Sequence, residues 1–218
     1  MVQVSANTGG LALGTAAAKI KQALADLQLP KDYFWQFGGN YDKMIRNQKE
    51  LSFALILSLI LVYMILASLF ESFSQPFIIL ITVPLGAIGA IMALHLTHKP
   101  VGIGVLIGAI MLGGIVVNNA IILIDRINFL KHKTGSDYSG ERHAVIAASL
   151  DRLRPIMMTS LTTILGLIPM ALDKSESSSL WSPLAITVIG GLTVSTFLTL
   201  LVIPCVYTIF KDLRLMRK

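Results

Sequence analysis

The run Val101–Ile124 constrains the fold most, because it contains 24 residues and no formally charged side chain. An apolar helix spans the hydrocarbon core of a bilayer with about 20 residues, so the run predicts a transmembrane helix with some tilt. Small residues let helix backbones approach closely, and polar side chains at membrane depth normally face protein or a water-filled path. The run contains both kinds of residue, and we therefore predict that its helix is the most enclosed element of a helix bundle. Its candidate packing residues are Gly104, Gly108, Gly113 and Gly114, and its two amides are Asn118 and Asn119.

Four further apolar runs lie within residues 46–218, and their lengths also suit a bilayer. The apolar content of 54% and the mean hydropathy of +0.73 indicate an all-α membrane protein rather than a soluble domain. Charged residues cluster between the runs, so the net charge of +6 is no evidence for a nucleic-acid partner. The single cysteine, Cys205, lies inside an apolar run, and we predict no disulfide, metal site or cofactor. The five predicted spans are residues 51–69, 77–94, 101–124, 156–172 and 184–210.

The first 45 residues have a different pattern. Residues Val2–Ala6 alternate like a strand, Leu11–Leu27 carries a helical apolar stripe, and Tyr33–Phe37 is aromatic and strand-like. This pattern predicts a β-α-β unit over residues 1–45 that is too small to bury its own core. We interpret the unit as a piece of a larger soluble domain, and a loosely packed N-terminal tail is the alternative.

The distribution of basic residues predicts the orientation of the spans. With the N-terminus outside, ten basic residues fall on the inner side and five on the outer side, which favours a cytoplasmic C-terminus. The first span taken alone favours the opposite orientation, because its three nearby basic residues, Lys43, Arg46 and Lys49, all precede it. This conflict disappears if further spans precede Met1. The sequence therefore predicts the C-terminal part of a longer protein.

Polar residues inside the spans are the candidate functional sites. Asn118 and Asn119 could form a station in a proton or ion path, or they could simply hydrogen-bond between helices. The hydroxyls of Thr159, Thr162 and Thr163 lie at a similar predicted depth in the fourth span. They could join the same path, or they could bond back to carbonyls of their own helix. No Asp, Glu, Lys or Arg lies in the middle of a predicted span, so the carboxylates of a proton pathway would have to be supplied from outside this chain.

Three stretches carry a resemblance to a known family. They are LASLFESFSQPFIILITVPLGAIGA, GIVVNNAIILIDRIN and LRPIMMTSLTTILGLIPMAL. Their order and spacing resemble the C-terminal half of resistance-nodulation-division (RND) exporters of the acriflavine-resistance type. The resemblance implies a twelve-span permease with two large periplasmic loops, of which this chain is the end of the second loop and the last five spans. The β-α-β unit then resembles the closing piece of a periplasmic porter subdomain.

The resemblance also implies a function and a set of site residues. It implies a proton-driven homotrimer in the inner membrane that works with a periplasmic adaptor and an outer-membrane channel. In the family's drug exporters, a lysine of the tenth span pairs with two aspartates of the fourth, and Asn118 stands at the lysine position. Thr159 matches a threonine of the eleventh span, and Arg152 matches a basic residue at that span's inner end. The departure at Asn118 puts the lysine's charge-switching role in doubt, and the aspartates would belong to the missing N-terminal half.

Other classes of function remain open at the level of sequence. An intramembrane enzyme would need a serine with a histidine, paired aspartates or a metal site within the spans, and none is seen. We therefore expect that the chain is not an enzyme. An inactive truncated remnant, a membrane scaffold, and an exporter of lipid or another cargo on the same fold are the remaining alternatives.

Overall fold

The structure is a computed structural model that describes residues 4–5, 13–25, 30, 34–134, 138–173, 175 and 178–216. The chain divides into two compact units, Met1–Glu50 and Leu51–Lys218. In order, the helices of the described residues are α1 (Leu13–Ala25), α2 (Asn40–Leu69), α3 (Ser74–Leu80), α4 (Thr82–Leu96), α5 (Ile103–Thr134), α6 (Tyr138–Leu172) and α7 (Ser178–Met216).

The prediction of five spans is confirmed. Five helical segments of the described chain are long and apolar enough to cross a membrane. Each predicted run overlaps one of them within two residues at either end or lies inside it, and α3 and α4 together form the second. A break at Ile81 separates these two helices, three residues before Pro84. Proline has no N–H and cannot continue the helical hydrogen bonds, so it disturbs the helix at this point. Beside the break, the Thr82 hydroxyl donates a 2.6 Å hydrogen bond to the Ile79 carbonyl.

The predicted β-α-β unit is not seen in the described residues. Its helix is present as α1, and Ala17 is buried on it. Residues 34–37 have no strand structure, although a strand was predicted at Tyr33–Phe37, and most of the first predicted strand lies outside the described residues. Strand structure requires a partner that satisfies the backbone N–H and C=O groups, and no described segment supplies one. The aromatic rings instead contact each other, with Trp35 edge-on to Phe37 and Phe37 tilted against Tyr41.

The link between the third and fourth spans is more helical than the sequence indicates. The segment Gly140–Leu150 is continuous with the fourth span as part of α6, and Pro155 lies inside this helix. Helices α5 and α6 are therefore both longer than the apolar runs predicted for the third and fourth spans.

Helix α7 is the centre of the bundle, and the prediction that Val101–Ile124 is the most enclosed helix is wrong. Half of the apolar window of α7 is buried, against 44% for α5 and 6% for α2. Close packing explains the difference. A Cβ on Gly89 of α4 would lie 2.5 Å from the Gly190 carbonyl oxygen, and a Cβ on Gly191 would collide with Leu112 of α5. The backbone of α7 therefore touches both neighbours, and this contact is possible only because glycines line it.

A candidate coupling site on the open face of helix α5

The amide of Asn118 lies on an exposed face of α5. Met111, Gly114, Asp125 and Phe129 are exposed on the same side of the helix, which is opposite to the buried residues that face α4 and α7. Among the hydrogen bonds of the described residues, none involves the Asn118 side chain. An amide at this depth has strong donor and acceptor groups, so it is available to a partner outside the described chain.

Asn119 has the opposite environment. Its side chain is 7% exposed and lies on the packed side of α5, since successive residues of a helix are rotated by about 100°. The two amides predicted as one station therefore face different surroundings. In this chain only Asn118 faces outward.

The three threonines of α6 lie on or near an exposed face. Thr159 and Thr162 are exposed and Thr163 is half-buried. Their hydroxyls donate to carbonyls of their own helix, at 3.0 Å to Ile156, 2.8 Å to Met158 and 2.9 Å to Thr159 respectively. The sequence allowed two roles for these threonines, a hydrogen bond to their own helix or a place in a proton path, and these bonds are of the first kind. The hydroxyl protons are thus occupied, and the oxygens retain their lone pairs to accept further hydrogen bonds.

A neighbouring serine makes an interhelical bond that sequence reasoning did not find. The Thr196 hydroxyl of α7 lies 2.8 Å from the Ser160 hydroxyl of α6, and both residues are buried. Thr196 also lies 2.6 Å from the Leu192 carbonyl of its own helix. Ser160 belongs to the hydroxyl-rich stretch of α6, but the sequence contains no signal that pairs it with one particular threonine of α7.

Arg152 lies beside a cavity at one end of the bundle. We call this end the Asp125 end, because α5 leaves the apolar core there. The cavity has a volume of about 260 Å³, and its polar lining consists of Asp125, Asn128 and Arg152. The Arg152 Nε atom is buried and has no hydrogen-bond partner among the described residues. Asp151, next to it in the chain, is engaged by Arg126 at 2.6 Å.

The cavity and Asn118 lie on one side of α5. Ile121, Ile122 and Asp125 line the cavity, and they follow Asn118 by three, four and seven residues. Side chains with this spacing share a helix face, and Asp125 lies about 10 Å along the axis from Asn118. This face of α5 therefore has an unpaired amide at one level and, beyond two isoleucines, a cavity lined by a carboxylate and a guanidinium.

The four candidate packing glycines divide into two pairs. A Cβ on Gly104 would collide with the Leu180 carbonyl oxygen, and one on Gly108 would lie 2.9 Å from the Leu184 carbonyl oxygen, so both contact α7. A Cβ on Gly113 or Gly114 would meet nothing within 4 Å. Gly114 lies on the open side of α5, one turn before Asn118. The described residues contain no group of three potential metal-ligating side chains.

Comparison with known proteins decides the family. The profile of the AcrB/AcrD/AcrF family matches residues 1–211, nearly the whole chain. The chain belongs to the AcrB/AcrD/AcrF family. The resemblance to RND exporters is thereby confirmed, and family membership together with the five apolar helices supports a multi-pass membrane protein.

Several relatives and solved structures of the AcrB/AcrD/AcrF type are similar to the chain. Multidrug resistance protein MdtC of Erwinia tasmaniensis is 36% identical over 205 residues, which are 94% of this chain and 20% of that protein. MdtC of Pectobacterium atrosepticum is 35% identical over 209 residues, 96% of this chain and 20% of the relative. A crystal structure of a heavy metal efflux pump superposes with a TM-score of 0.80 at 32% identity, covering 94% of this chain and 20% of that one. The chain thus spans about a fifth of the length of these relatives.

Proposed function

We propose that this chain is the C-terminal part of a proton-driven permease of the inner membrane, and that the complete permease exports drugs or other amphiphiles. Family membership supports the efflux function, and the multidrug resistance proteins among the relatives support the substrate class. Since the chain spans about a fifth of its relatives, transport is an activity of the complete protein.

The arrangement in the cell is part of the same proposal. The excess of basic residues at the Asp125 end favours a cytoplasmic position for this end, with the N-terminus in the periplasm. The complete permease would be a homotrimer that contains the N-terminal half missing here, and it would contact a periplasmic adaptor and an outer-membrane channel. In it, residues 1–45 would complete a porter subdomain, whose other strands would supply the partners that residues 34–37 lack here.

The exposed, unpaired amide of Asn118 carries the proposal for the coupling site. The resemblance to the family's drug exporters implies that the matching position there holds a lysine, which pairs with two aspartates from the other half of the permease. We propose that Asn118 faces such carboxylates, and that its amide N–H groups donate to the carboxylate anion. Asn119 would fix α5 in the bundle. Thr159, Thr162 and Thr163 would accept hydrogen bonds along the same hydrated path, which would continue past Ile121 and Ile122 to Arg152.

The coupling step follows from this geometry. Protonation of the carboxylate removes its negative charge and weakens its hydrogen bond with the amide. The helices that this contact holds together can then shift, because the two conformations differ in their affinity for the proton. Asn118 itself does not change protonation state, so its part is to hold and release the carboxylate.

The test is substrate efflux by the full-length protein in a drug-susceptible host and in proteoliposomes. We expect that Asn118→Ala and Asn118→Leu each reduce proton-dependent efflux at least tenfold, while the amount of folded trimer stays unchanged. Efflux by Asn118→Leu equal to that of the parent protein would reduce Asn118 to a helix contact. A full-length parent that exports no drug under a proton gradient would instead favour a lipid cargo, a scaffold or an inactive remnant.

A matched pair of threonine variants tests the proton path. Thr162 and Thr193 are both exposed, and each donates to the carbonyl four residues earlier, at 2.8 Å and 2.7 Å. Thr162 lies in the proposed path and Thr193 lies on α7, outside it. We expect Thr162→Val to slow proton-dependent efflux and Thr193→Val to leave it unchanged. Equal effects of the two changes would remove the threonines of α6 from the path.

A further inference from the structure

A hydrogen-bond cluster joins three helices at the Asp125 end. The Asn128 amide nitrogen of α5 donates to the Gln75 side-chain oxygen of α3 at 3.0 Å. The Gln75 amide nitrogen lies 3.4 Å from the Asn128 side-chain oxygen, so the two amides pair reciprocally. The Tyr207 hydroxyl of α7 donates to the same Asn128 oxygen at 3.2 Å. Asn128 is therefore the common member of all three bonds, and its replacement by an apolar residue would break them together.

A second polar link holds α5 at the same level. The Arg126 guanidinium contacts one carboxylate oxygen of Asp151 on α6 through Nη2 at 2.6 Å and through Nε at 3.2 Å. Charge-assisted hydrogen bonds of this kind are stronger and more directional than bonds between neutral groups. Helix α5 is thus bound to α3 and α7 through one residue, and to α6 through a residue two positions away.

The positions of the two links on the helix determine what they do. Residues two apart on an α-helix are rotated by about 200°, so Asn128 and Arg126 lie on opposite flanks of α5. The exposed stripe of Asn118 and Asp125 lies between these flanks. A link on one flank alone would still allow α5 to roll about its axis. Links on both flanks oppose rotation in either direction.

We propose that Asn128, with Gln75 and Tyr207, and Arg126, with Asp151, are positioning residues that set the axial rotation of α5. By opposing the roll of this helix, they keep Asn118 on the open face, about 15 Å away along the axis. Any effect of these residues on transport rests on the proposed function of Asn118. Their effect on the rotation of α5 does not rest on it, since it follows from the contacts within this chain.

The test measures the rotation of α5 in the full-length protein. A reporter Gly114→Cys lies one turn before Asn118 on the same face, where an added Cβ meets nothing within 4 Å. The background carries Cys205→Ser and no other cysteine. We measure the rate at which a water-soluble maleimide modifies the reporter in the purified protein. Asn128→Leu breaks the first link, and Asp151→Asn weakens the second by removing the charge that strengthens its hydrogen bonds. The two changes together are expected to change this rate at least threefold.

Two further variants separate positioning from general loss of stability. Gln75→Asn with Asn128→Gln exchanges the two amides and preserves their combined length. With Asp151 unchanged, this exchanged pair is expected to restore the parent rate that Asn128→Leu alone loses. The matched control Asn47→Leu changes an exposed asparagine of the other unit and is expected to leave the rate unchanged. An unchanged rate when both links are broken overturns the proposal. An exchanged pair that folds as stably as the parent but does not restore the rate also overturns it.

The same variants distinguish this inference from the proposed function. The modification rate does not depend on transport, so a fully active Asn118→Leu protein would overturn the coupling role of Asn118 and leave the rotation test intact. Conversely, the modification rate could stay unchanged in the variant with both links altered while Asn118→Leu loses efflux. That result overturns only the proposal that the two links set the rotation of α5. If both proposals hold, Asn128→Leu with Asp151→Asn lowers the maximal efflux rate, and the exchanged amide pair restores it.

Discussion

Two sides of helix α5 differ in how completely this chain packs them. The closed side, which contains Gly104, Gly108 and Asn119, lies against neighbouring helices, and both of its glycines contact the backbone of α7. On the open side, the Asn118 side chain is exposed, and a Cβ on Gly114 would meet nothing within 4 Å. Both sides carry small residues and an amide. Small residues and amides in a span therefore predict that another helix can pack closely against them. They do not predict whether that helix belongs to this chain or to another part of the protein.

The largest expected effect is a difference in stability between a valine substitution of a glycine on the closed side of α5 and one on the open side. Gly104→Val should lower the stability of the full-length protein by about 3 kcal/mol or more, because the new side chain collides with the backbone of α7. Gly114→Val should change stability by less than about 0.5 kcal/mol, because the added Cβ meets nothing within 4 Å among the described residues of this chain. Thermal unfolding of the purified proteins in detergent measures both. Equal destabilisation would show that the open side is as tightly packed in the complete protein.

The second prediction sharpens the comparison with a charge. Asn118→Lys places an ammonium on the open side, where a facing carboxylate anion would be stabilised more than by an amide. The carboxylate would then release its proton at a lower pH, and the midpoint of proton-dependent efflux should move down by about one pH unit, which corresponds to about 1.4 kcal/mol.

The matched change on the closed side is Asn119→Lys, which buries a charge where the side chain is 7% exposed. It should prevent accumulation of folded protein, because an unpaired charge is costly in such a site. An unchanged pH profile for a well-folded Asn118→Lys protein would argue against a carboxylate partner at the open side.

A smaller effect is expected for the buried hydroxyl pair that joins α6 to α7. Thr196→Val removes the 2.8 Å contact with Ser160 and should cost about 1 kcal/mol, in the range of interhelical hydrogen bonds in membranes. Thr193→Val, on the same helix, removes only a bond to its own helix and should cost less. Comparing the two unfolding midpoints isolates the interhelical bond. Equal midpoints would show that α6 is not held by this pair.

The smallest expected effect concerns the turns that end α4 and join α2 to α3. His98 follows α4 with φ of 52°, and Glu71 lies between α2 and α3 with φ of 47°. Glycine adopts this left-handed conformation without the steric cost that other residues incur, so His98→Gly and Glu71→Gly should each stabilise the protein by about 0.5 kcal/mol or slightly more. Unfolding midpoints measure both, and a loss of stability in either variant would reveal a contact of that side chain.

Much of the fold was predictable because it depends on local composition. The length of Val101–Ile124 and of the other apolar runs was sufficient to predict five spans, since a bilayer requires a minimum apolar length whatever the neighbours are. The break at Ile81 in the second span also has a local cause, since Pro84 lies three residues after it and lacks an N–H for the helical ladder. The predicted strand at Tyr33–Phe37 failed for the opposite reason, because a strand depends on a partner segment that the local pattern does not contain.

The sequence identified which residues belong to the candidate site, but it did not predict where their side chains lie or which residues they contact. The sequence identified Asn118 as a polar residue inside a span, but Asn119 looked equivalent to it until the structure placed the two on different sides of α5. Asn128 looked like an ordinary polar residue beyond the end of an apolar run. Its bonds to Gln75 and Tyr207 join residues 53 and 79 positions away, and no local pattern encodes such pairs.

By itself, the sequence determined the class of protein, the number of spans and the family, since each depends on residue composition and on motifs read along the chain. The tertiary structure alone decided that α7 is the central helix, that Gly104 is packed and Gly114 open, and that Asn118 faces outward. The physical reason is that a glycine or an amide has the same local signature on every face of a helix. Its role is set by the axial rotation of that helix and by the backbone that lies opposite, and both are properties of the assembled bundle.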